Sequence, residues 1–363
     1  MKKTPTPLLD VLKKYSRSNP VRMHMPCHEG RLGLSKIEKT DVTELGFNDN
    51  LNAPCGAIAA AQDEYAKLFG AKRALFLTNG SSQGNFAFLG LVRGKSVLTE
   101  RDGHVSLTRG AETFGVTLFA VDSVTPEKVK EYKEKHDVAA VIVRYPDYFG
   151  RICDLQALFK ATGEQGVLLF VDGAHGAHFG LSKRLPPCPV GFCDACVVST
   201  HKTLGAYTQT AVVLSNSDRI ADELKKQINA VSTTSPSYIL LASIDYARKK
   251  AAEKGEKKLD RLFGWVSDFE KKLPDGVYCM IRDDFTKLTL DFSEAGFSGK
   301  AAYTFMTTEN VYPELYRDSR VLFYLGLYTT KRDMDKLARA VKKLIKKGEK
   351  SKSTDEGEGP FGY

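Results

Sequence analysis

Seven short apolar runs recur before residue 216: RALFLT (73–78), SVLTE (96–100), TLFAVD (117–122), VAAVIV (138–143), GVLLFVD (166–172), ACVVST (195–200) and TAVVLS (210–215). Most are continuous rather than alternating, the pattern of strands buried on both faces of a sheet. The stretches between them, among them NFAFLGLV, TPEKVKEYKEKH and LQALFKATGEQG, can supply helices. Strands alternating with helices predict an α/β sheet covered on both sides. Ahead of the first run, GAIAAAQDEYAKLFG (56–70) reads as an amphipathic helix closed by Gly70.

From about residue 237 a long polar helical pattern runs to 262, and the character then changes. VYCMIRD and TKLTLDF read as two strands, GKAAYTFMTTEN as a helix, VLFYLGL as a strand and RDMDKLARAVKKLIKK as a closing helix. That is a small α+β domain. The expected organisation is an N-terminal arm (1–50), a large domain (51–262), a small domain (263–348) and a disordered tail (349–363).

Composition changes this picture little. Hydrophobic residues make up 42% of the 363, enough for a sizeable core. No stretch approaches the ~18 uninterrupted apolar residues of a membrane span. The opening MKKTPTPLLDVLKKY lacks the continuous apolar region of a signal peptide, so a mature N-terminus is expected. The seven cysteines read as an odd, unpatterned set, which argues for reduced thiols and a cytoplasmic location. Cys188, Cys193 and Cys196 are set aside as a zinc site because regular spacing and a fourth ligand are missing; no metal is expected. The net charge of +9 raises the question of nucleic acid. Its excess lies at the ends, in EKGEKK (253–258) and in KKLIKKGEKSK from 342, without interleaved aromatics. These read as solvated helix faces and a tail, so neither a nucleic-acid nor a membrane partner is expected.

Three motifs carry chemistry. Asp172 in VDGAHGAH (171–178) ends an apolar strand, and strand carboxyl ends are where open α/β sheets place ligands. A carboxylate there can pair with a protonated ring nitrogen, or simply cap a turn. Lys202 in STHKTL (199–204) follows another strand, where a desolvated amine suits imine chemistry; alone it equally reads as a surface lysine. Ser199 and His201 beside it are placed to meet an anion. LTNGSSQGN (77–85) runs from a strand end into a helix start, a phosphate cradle or a plain serine N-cap. Cradle, carboxylate and lysine come in that order, each at a strand end, and together they point to one site.

These stretches resemble the Orn/Lys/Arg decarboxylase family, basic amino-acid decarboxylases of pyridoxal-phosphate fold type I. HMPCHEGR (24–31), DVTELGFNDNLNAPCGAIAAAQDEYAKLFGA (41–71), NGSSQGN, ERDGHVSL (100–107), VDGAHGAH, STHKTLGAYTQTA (199–211) and TTSPSYILLASID (233–245) carry the likeness. It implies a large domain with a mostly parallel seven-stranded sheet, a small α+β domain, and pyridoxal 5'-phosphate as cofactor. Carried over, Lys202 forms the Schiff base, Asp172 pairs with the pyridine nitrogen, and His104 and Ala174 flank the ring. Ser81, Ser82, Gln83, Ser199 and His201 hold the phosphate, joined by Thr234 from a partner subunit. His201 is also a candidate proton donor, and His175 and His178 have site or structural roles. Glu314 in YPELYRD is the candidate partner for a substrate's distal cation.

The sequence departs from the family in the entry motif, where Cys27 and Glu29 stand for the usual glycine and lysine, and in stopping after the small domain without a Pro-rich C-terminal stretch. The expected activity is α-decarboxylation of lysine, arginine or ornithine by a homodimer with a shared site. The alternatives are another α-carbon reaction such as transamination, for which Arg320 would grip the substrate carboxylate, or a non-catalytic regulatory subunit.

Overall fold

The computed structural model describes residues 4–20, 22, 23, 25–28, 31, 33 and 35–347. His24, Glu29 and the tail from 348 lie outside them. The chain divides into two compact units.

The first unit comprises the residues up to Tyr145, Cys153–Phe179 and Pro187–Glu253. Its strands are β1 (Arg73–Leu77), β2 (Ser96–Glu100), β3 (Thr117–Val121), β4 (Val138–Arg144), β5 (Leu168–Asp172), β6 (Ala195–Val198) and β7 (Ala211–Ser215). They form one sheet in the order β1-β7-β6-β5-β4-β2-β3. Only β7 breaks the parallel run, pairing antiparallel with both β1 and β6. It follows that β1 points the same way as β6. The carboxyl ends of β1, β2, β5 and β6 therefore share one edge. All seven strands coincide with the apolar runs of the sequence.

The helices are α1 (Pro7–Arg17), α2 (Ala57–Phe69), α3 (Gly80–Leu91), α4 (Val105–Phe114), α5 (Pro126–His136), α6 (Leu155–Glu164), α7 (Thr200–Thr203), α8 (Asp218–Ala230) and α9 (Tyr238–Glu270). Local chemistry sets their ends. Gly70 closes α2 in the left-handed conformation (φ 69°), and Asp154 opens α6 by accepting from the Ala157 N–H at 3.0 Å. The N-terminal arm contains a helix that sequence reading did not see. In α1, Pro7 takes an N-terminal position that needs no N–H, Leu8 and Leu12 are buried, and the helix packs on α2.

One packing contact sets how closely α3 approaches the sheet. A Cβ on Gly84 would lie 2.5 Å from Val197 Cγ2. Glycine thus lets the helix axis approach β6 more closely than any other residue allows. Next to it Phe88 stacks face to face on Phe170 of β5, with ring centroids 4.6 Å apart.

The second unit comprises Pro146–Ile152, Gly180–Pro186 and the residues from Lys254 on. Its sheet is antiparallel, in the order β10-β11-β9-β8, from β8 (Tyr278–Met280), β9 (Lys287–Asp291), β10 (Leu315–Arg317) and β11 (Arg320–Tyr324). α10 (Gly299–Thr308) and α11 (Lys331–Lys347) complete it. β10 pairs with β11 across a two-residue turn in which Asp318 takes a positive φ of 53°. Sequence reading left the YPELYRD stretch without a strand. Three residues, none fully buried, give no hydrophobic run to detect.

Gly84→Ala is expected to lower stability by about 1–3 kcal/mol, the usual cost of overpacking a tight core. The urea midpoint measures it. An unchanged midpoint would mean that α3 can move off β6 at no cost.

Candidate active site

The site assembles at the shared strand edge of the first unit, which is where the topology of an open parallel sheet puts it. Asp172 ends β5 and is 4% exposed. Its carboxylate accepts from the Asn85 amide at 2.8 Å and from the Ala174 backbone N–H at 3.1 Å. Both donors are neutral. Asn85 lies on α3, wholly buried, and its other amide hydrogen reaches Ser106 Oγ at 2.9 Å. Ser106 Oγ in turn lies 2.8 Å from His104 Nδ1. His104 caps α4, its Nδ1 accepting from the Ser106 N–H at 3.2 Å. Burial pushes the His104 pKa down; Asp172 opposes this, while Lys202 and Arg109 reinforce it.

Lys202 sits in α7, just past the end of β6, half-buried. Its Nζ lies 3.1 Å from His175 Nε2. Beside it His201 Nδ1 is 2.8 Å from the Thr210 carbonyl. A carbonyl only accepts, so in the neutral ring Nδ1 carries the proton and Nε2 the lone pair. Burial pushes the His201 pKa down, the Thr210 bond pushes it up, and Lys202 lowers it again. A proton-donor role for His201 therefore requires a charge that its surroundings oppose.

The glycine-serine motif begins α3. Gly80 has φ +70°, its N–H donates to the Gln209 carbonyl at 2.7 Å, and Asn79 supplies no side-chain cap. Ser81, Ser82 and Gln83 thus fall in the first turn, where backbone N–H groups lack intrahelical partners. The Gln83 amide donates to Ser232 Oγ, leaving its Oε1 buried without a partner. Ser199 Oγ, at 0% residue exposure, is likewise buried without one. Buried polar groups are almost always satisfied, so such orphans at one sheet edge fit a polar ligand.

The sequence-derived candidates thus separate. Asp172, Ala174, His104, Lys202, His175, Ser199 and His201, with the start of α3, stand at or just past one strand edge. His178 is buried and packs its ring on Phe179, with centroids 4.9 Å apart. Thr234 is exposed in the loop between α8 and α9. Glu314 belongs to the second unit. There Tyr148 donates to its Oε1 at 2.6 Å, and its own N–H donates to the Leu322 carbonyl at 2.9 Å. In the same unit the buried Lys287 ammonium lies 3.5 Å from Asp284 and 4.1 Å from the Tyr324 ring centroid. Burial pushes the Lys287 pKa down, while Asp284 and Glu314 oppose this. Arg320 is engaged by Asp291 at 3.3 Å across the strand pair.

Sequence reading missed Asn85 and Ser106. The available signal was an asparagine inside GSSQGNFAFLGL, where a polar side chain on a buried helix face needs a partner. The cysteines need a correction. Cys193 and Cys196 do have Cys-x-x-Cys spacing, and both are buried at the start of β6. Burial pushes the Cys188 and Cys196 thiols up, against the thiolate form that zinc requires. Among the described residues, no three His, Cys, Asp or Glu side chains are grouped to hold a metal, and no helix is long and apolar enough to cross a membrane.

A large, mostly parallel seven-stranded sheet with this edge is the pyridoxal-phosphate fold-type-I architecture. The Francisella novicida lysine decarboxylase LdcF has it, with a TM-score of 0.80 at 20% identity over 94% of this chain. This chain spans 60% of that enzyme's length. The family model for the Orn/Lys/Arg decarboxylase major domain matches residues 6–121 and 113–282, so the chain belongs to this family. Curated relatives include the uncharacterized protein YaaO of Bacillus subtilis (strain 168), 28% identical over 94% of this chain and 78% of its own length. The arginine decarboxylase of the same strain is 26% identical over 93% of this chain and 77% of its own length.

The two imidazoles bear on acid stability. An unfolded histidine titrates at about 6.5, and both half-buried rings titrate lower. Below that value the unfolded chain binds more protons, so stability falls with pH until the folded rings themselves charge. His201→Gln is expected to remove part of this loss. Urea midpoints across the acid limb test it, and an unaltered slope would mean that His201 is not held as a neutral ring.

Proposed function

We propose that the chain binds pyridoxal 5'-phosphate through Lys202 and catalyses α-decarboxylation of a basic amino acid. The observation that carries this is the buried Asp172 carboxylate, held by two neutral donors, at the same sheet edge as Lys202. A buried carboxylate without a cationic partner is expensive. A protonated pyridine nitrogen supplies that partner. The orphaned Ser199 hydroxyl and the uncapped start of α3 fit the phosphate.

When bound, the cofactor provides a ring that takes up the electron pair left as CO₂ departs. The rest falls to the chain's own side chains. Asp172 would hold a proton on the ring nitrogen. His104 and Ala174 would flank the ring. Lys202 would supply the anchoring amine, a group also able to hold or return a proton at the α-carbon. His175, within hydrogen-bonding distance of its Nζ, orients that amine. Arg320 has a partner within its own strand pair, Asp291, which gives it a structural role there. The homodimer belongs to this reading as well, with the exposed Thr234 offered to a partner's phosphate.

Purified protein with added cofactor is expected to absorb in the visible region and to scatter light as a dimer. Borohydride should fix the label on Lys202, and Lys202→Ala should stay colourless. With lysine, arginine or ornithine the products should be CO₂ and the corresponding amine. A colourless wild type removes the reading, and a 2-oxo acid product replaces the reaction.

Glu314 is the proposed partner of the substrate's distal cation. Its carboxylate stands near a buried ammonium of its own unit, Lys287, on which Asp284 and Glu314 both act. Glu314→Gln should lower kcat/KM for the preferred basic amino acid about tenfold, ~1.4 kcal/mol of transition-state stabilisation. An unchanged value excludes Glu314 from substrate recognition.

A further inference from the structure

The network beneath Asp172 reaches further than that carboxylate needs. Asn85 has two amide hydrogens and uses both, one on Asp172 Oδ2 at 2.8 Å and one on Ser106 Oγ at 2.9 Å. With its oxygen accepting from Asn85, the Ser106 hydroxyl hydrogen is left to point at His104 Nδ1, 2.8 Å away. The Ser106 backbone N–H points at the same atom from 3.2 Å. A backbone N–H can only donate, so Nδ1 is an acceptor and carries no proton.

We propose that Asn85 and Ser106 are positioning residues, a hydrogen-bond relay that ties the Asp172 carboxylate to the His104 ring and fixes that ring with its proton on Nε2. The proposal rests on the cofactor reading for its purpose but not for its geometry. The purpose is electrostatic. An imidazolium at His104 would compete with the pyridine nitrogen for Asp172, putting two cations on one carboxylate. Two donors converging on Nδ1 disfavour that imidazolium, because protonating Nδ1 would set it against the Ser106 backbone N–H and force the Ser106 hydroxyl to turn from donor to acceptor. Charged groups acting on His104 include Asp172 from β5, Lys202 from α7 and Arg109 from its own helix α4. Asp172 favours the imidazolium, and the relay opposes it. The relay also presents Nε2–H as a neutral donor at a fixed orientation, the form a ring-stacking histidine needs if it is to donate a hydrogen bond without adding charge.

The test is carried out on cofactor-free protein labelled with ¹⁵N at histidine, with His104 assigned by loss of its signals in His104→Gln. Wild type should show a pyridine-type Nδ1 and a pyrrole-type Nε2 above the ring's titration. Ser106→Ala should raise the His104 pKa by about one unit, a tenfold shift in its protonation equilibrium, whereas Ser106→Thr, which keeps the hydroxyl, should leave it in place. Asn85→Leu should raise it less, and the double variant should fall short of the sum of the two single effects, because Ser106→Ala already removes the Asn85–Ser106 bond and only the Asn85–Asp172 bond remains to be lost. If Asn85→Leu does not fold, Asn85→Ala enters the same cycle. A pyrrole-type Nδ1 in wild type, an unmoved pKa in Ser106→Ala, or additive effects in the double variant would overturn the relay. Because the readout precedes cofactor addition, the two ideas fail separately. Wild type that never binds pyridoxal phosphate ends the functional reading and leaves the relay standing. A coloured holoenzyme with Nδ1 protonated ends the relay alone.

Discussion

A carboxylate buried to 4% exposure must be met by hydrogen bonds or it destabilises the fold, and Asp172 imposes that condition on everything around it. Its own turn supplies one donor, the Ala174 N–H. The other comes from α3, 87 residues earlier in the chain. For Asn85 to reach Oδ2, α3 must lie almost on the sheet, and Gly84 makes this possible by having no Cβ to meet Val197. The same close approach lets Phe88 stack flat on Phe170 of β5. Core packing and the chemistry of the strand edge are therefore one constraint. A change at Gly84 would be felt at Asp172, although the two do not touch through any charged group.

This explains which features could be read from sequence. Strands buried on both faces announce themselves as continuous apolar runs, as most of the large sheet did, and the edge strand β3, buried only at Val121, still coincides with an apolar run. Asp172, Lys202 and the glycine-serine turn were visible because each follows such a run. Asn85 and Ser106 were not, because their importance lies in pairing across the fold rather than in spacing. β10 was hidden for a different reason. Its three residues are held by backbone pairing to β11 and by a turn at Asp318, and none of them is buried enough to leave a hydrophobic signature. α1 is amphipathic and short, and its buried face, Leu8 and Leu12, is too brief to stand out as a periodic run.

Burial of charge is handled differently in the second unit. Lys287 is fully buried, and its ammonium is balanced locally by Asp284, by the Tyr324 ring and by the field of Glu314. Breaking one partner of such a cluster leaves an uncompensated buried charge, which costs more than the pair is worth intact. Glu314 therefore has a structural tie even if a substrate cation also meets it. An effect of its removal on folding must be separated from one on catalysis by comparing the midpoint of unfolding with kcat/KM.

Two histidines of the first unit share one principle. At His201 a backbone carbonyl claims Nδ1 as a donor, and at His104 a backbone N–H claims Nδ1 as an acceptor. Main-chain groups thus set opposite tautomers in two neutral rings, leaving a lone pair at Nε2 of one and a proton at Nε2 of the other. Neither ring needs to become charged to play its part, and burial keeps both from doing so readily. A site arranged this way does not offer Asp172 a competing histidine cation, which is the electrostatic condition under which a single ring nitrogen can hold its proton against a buried carboxylate.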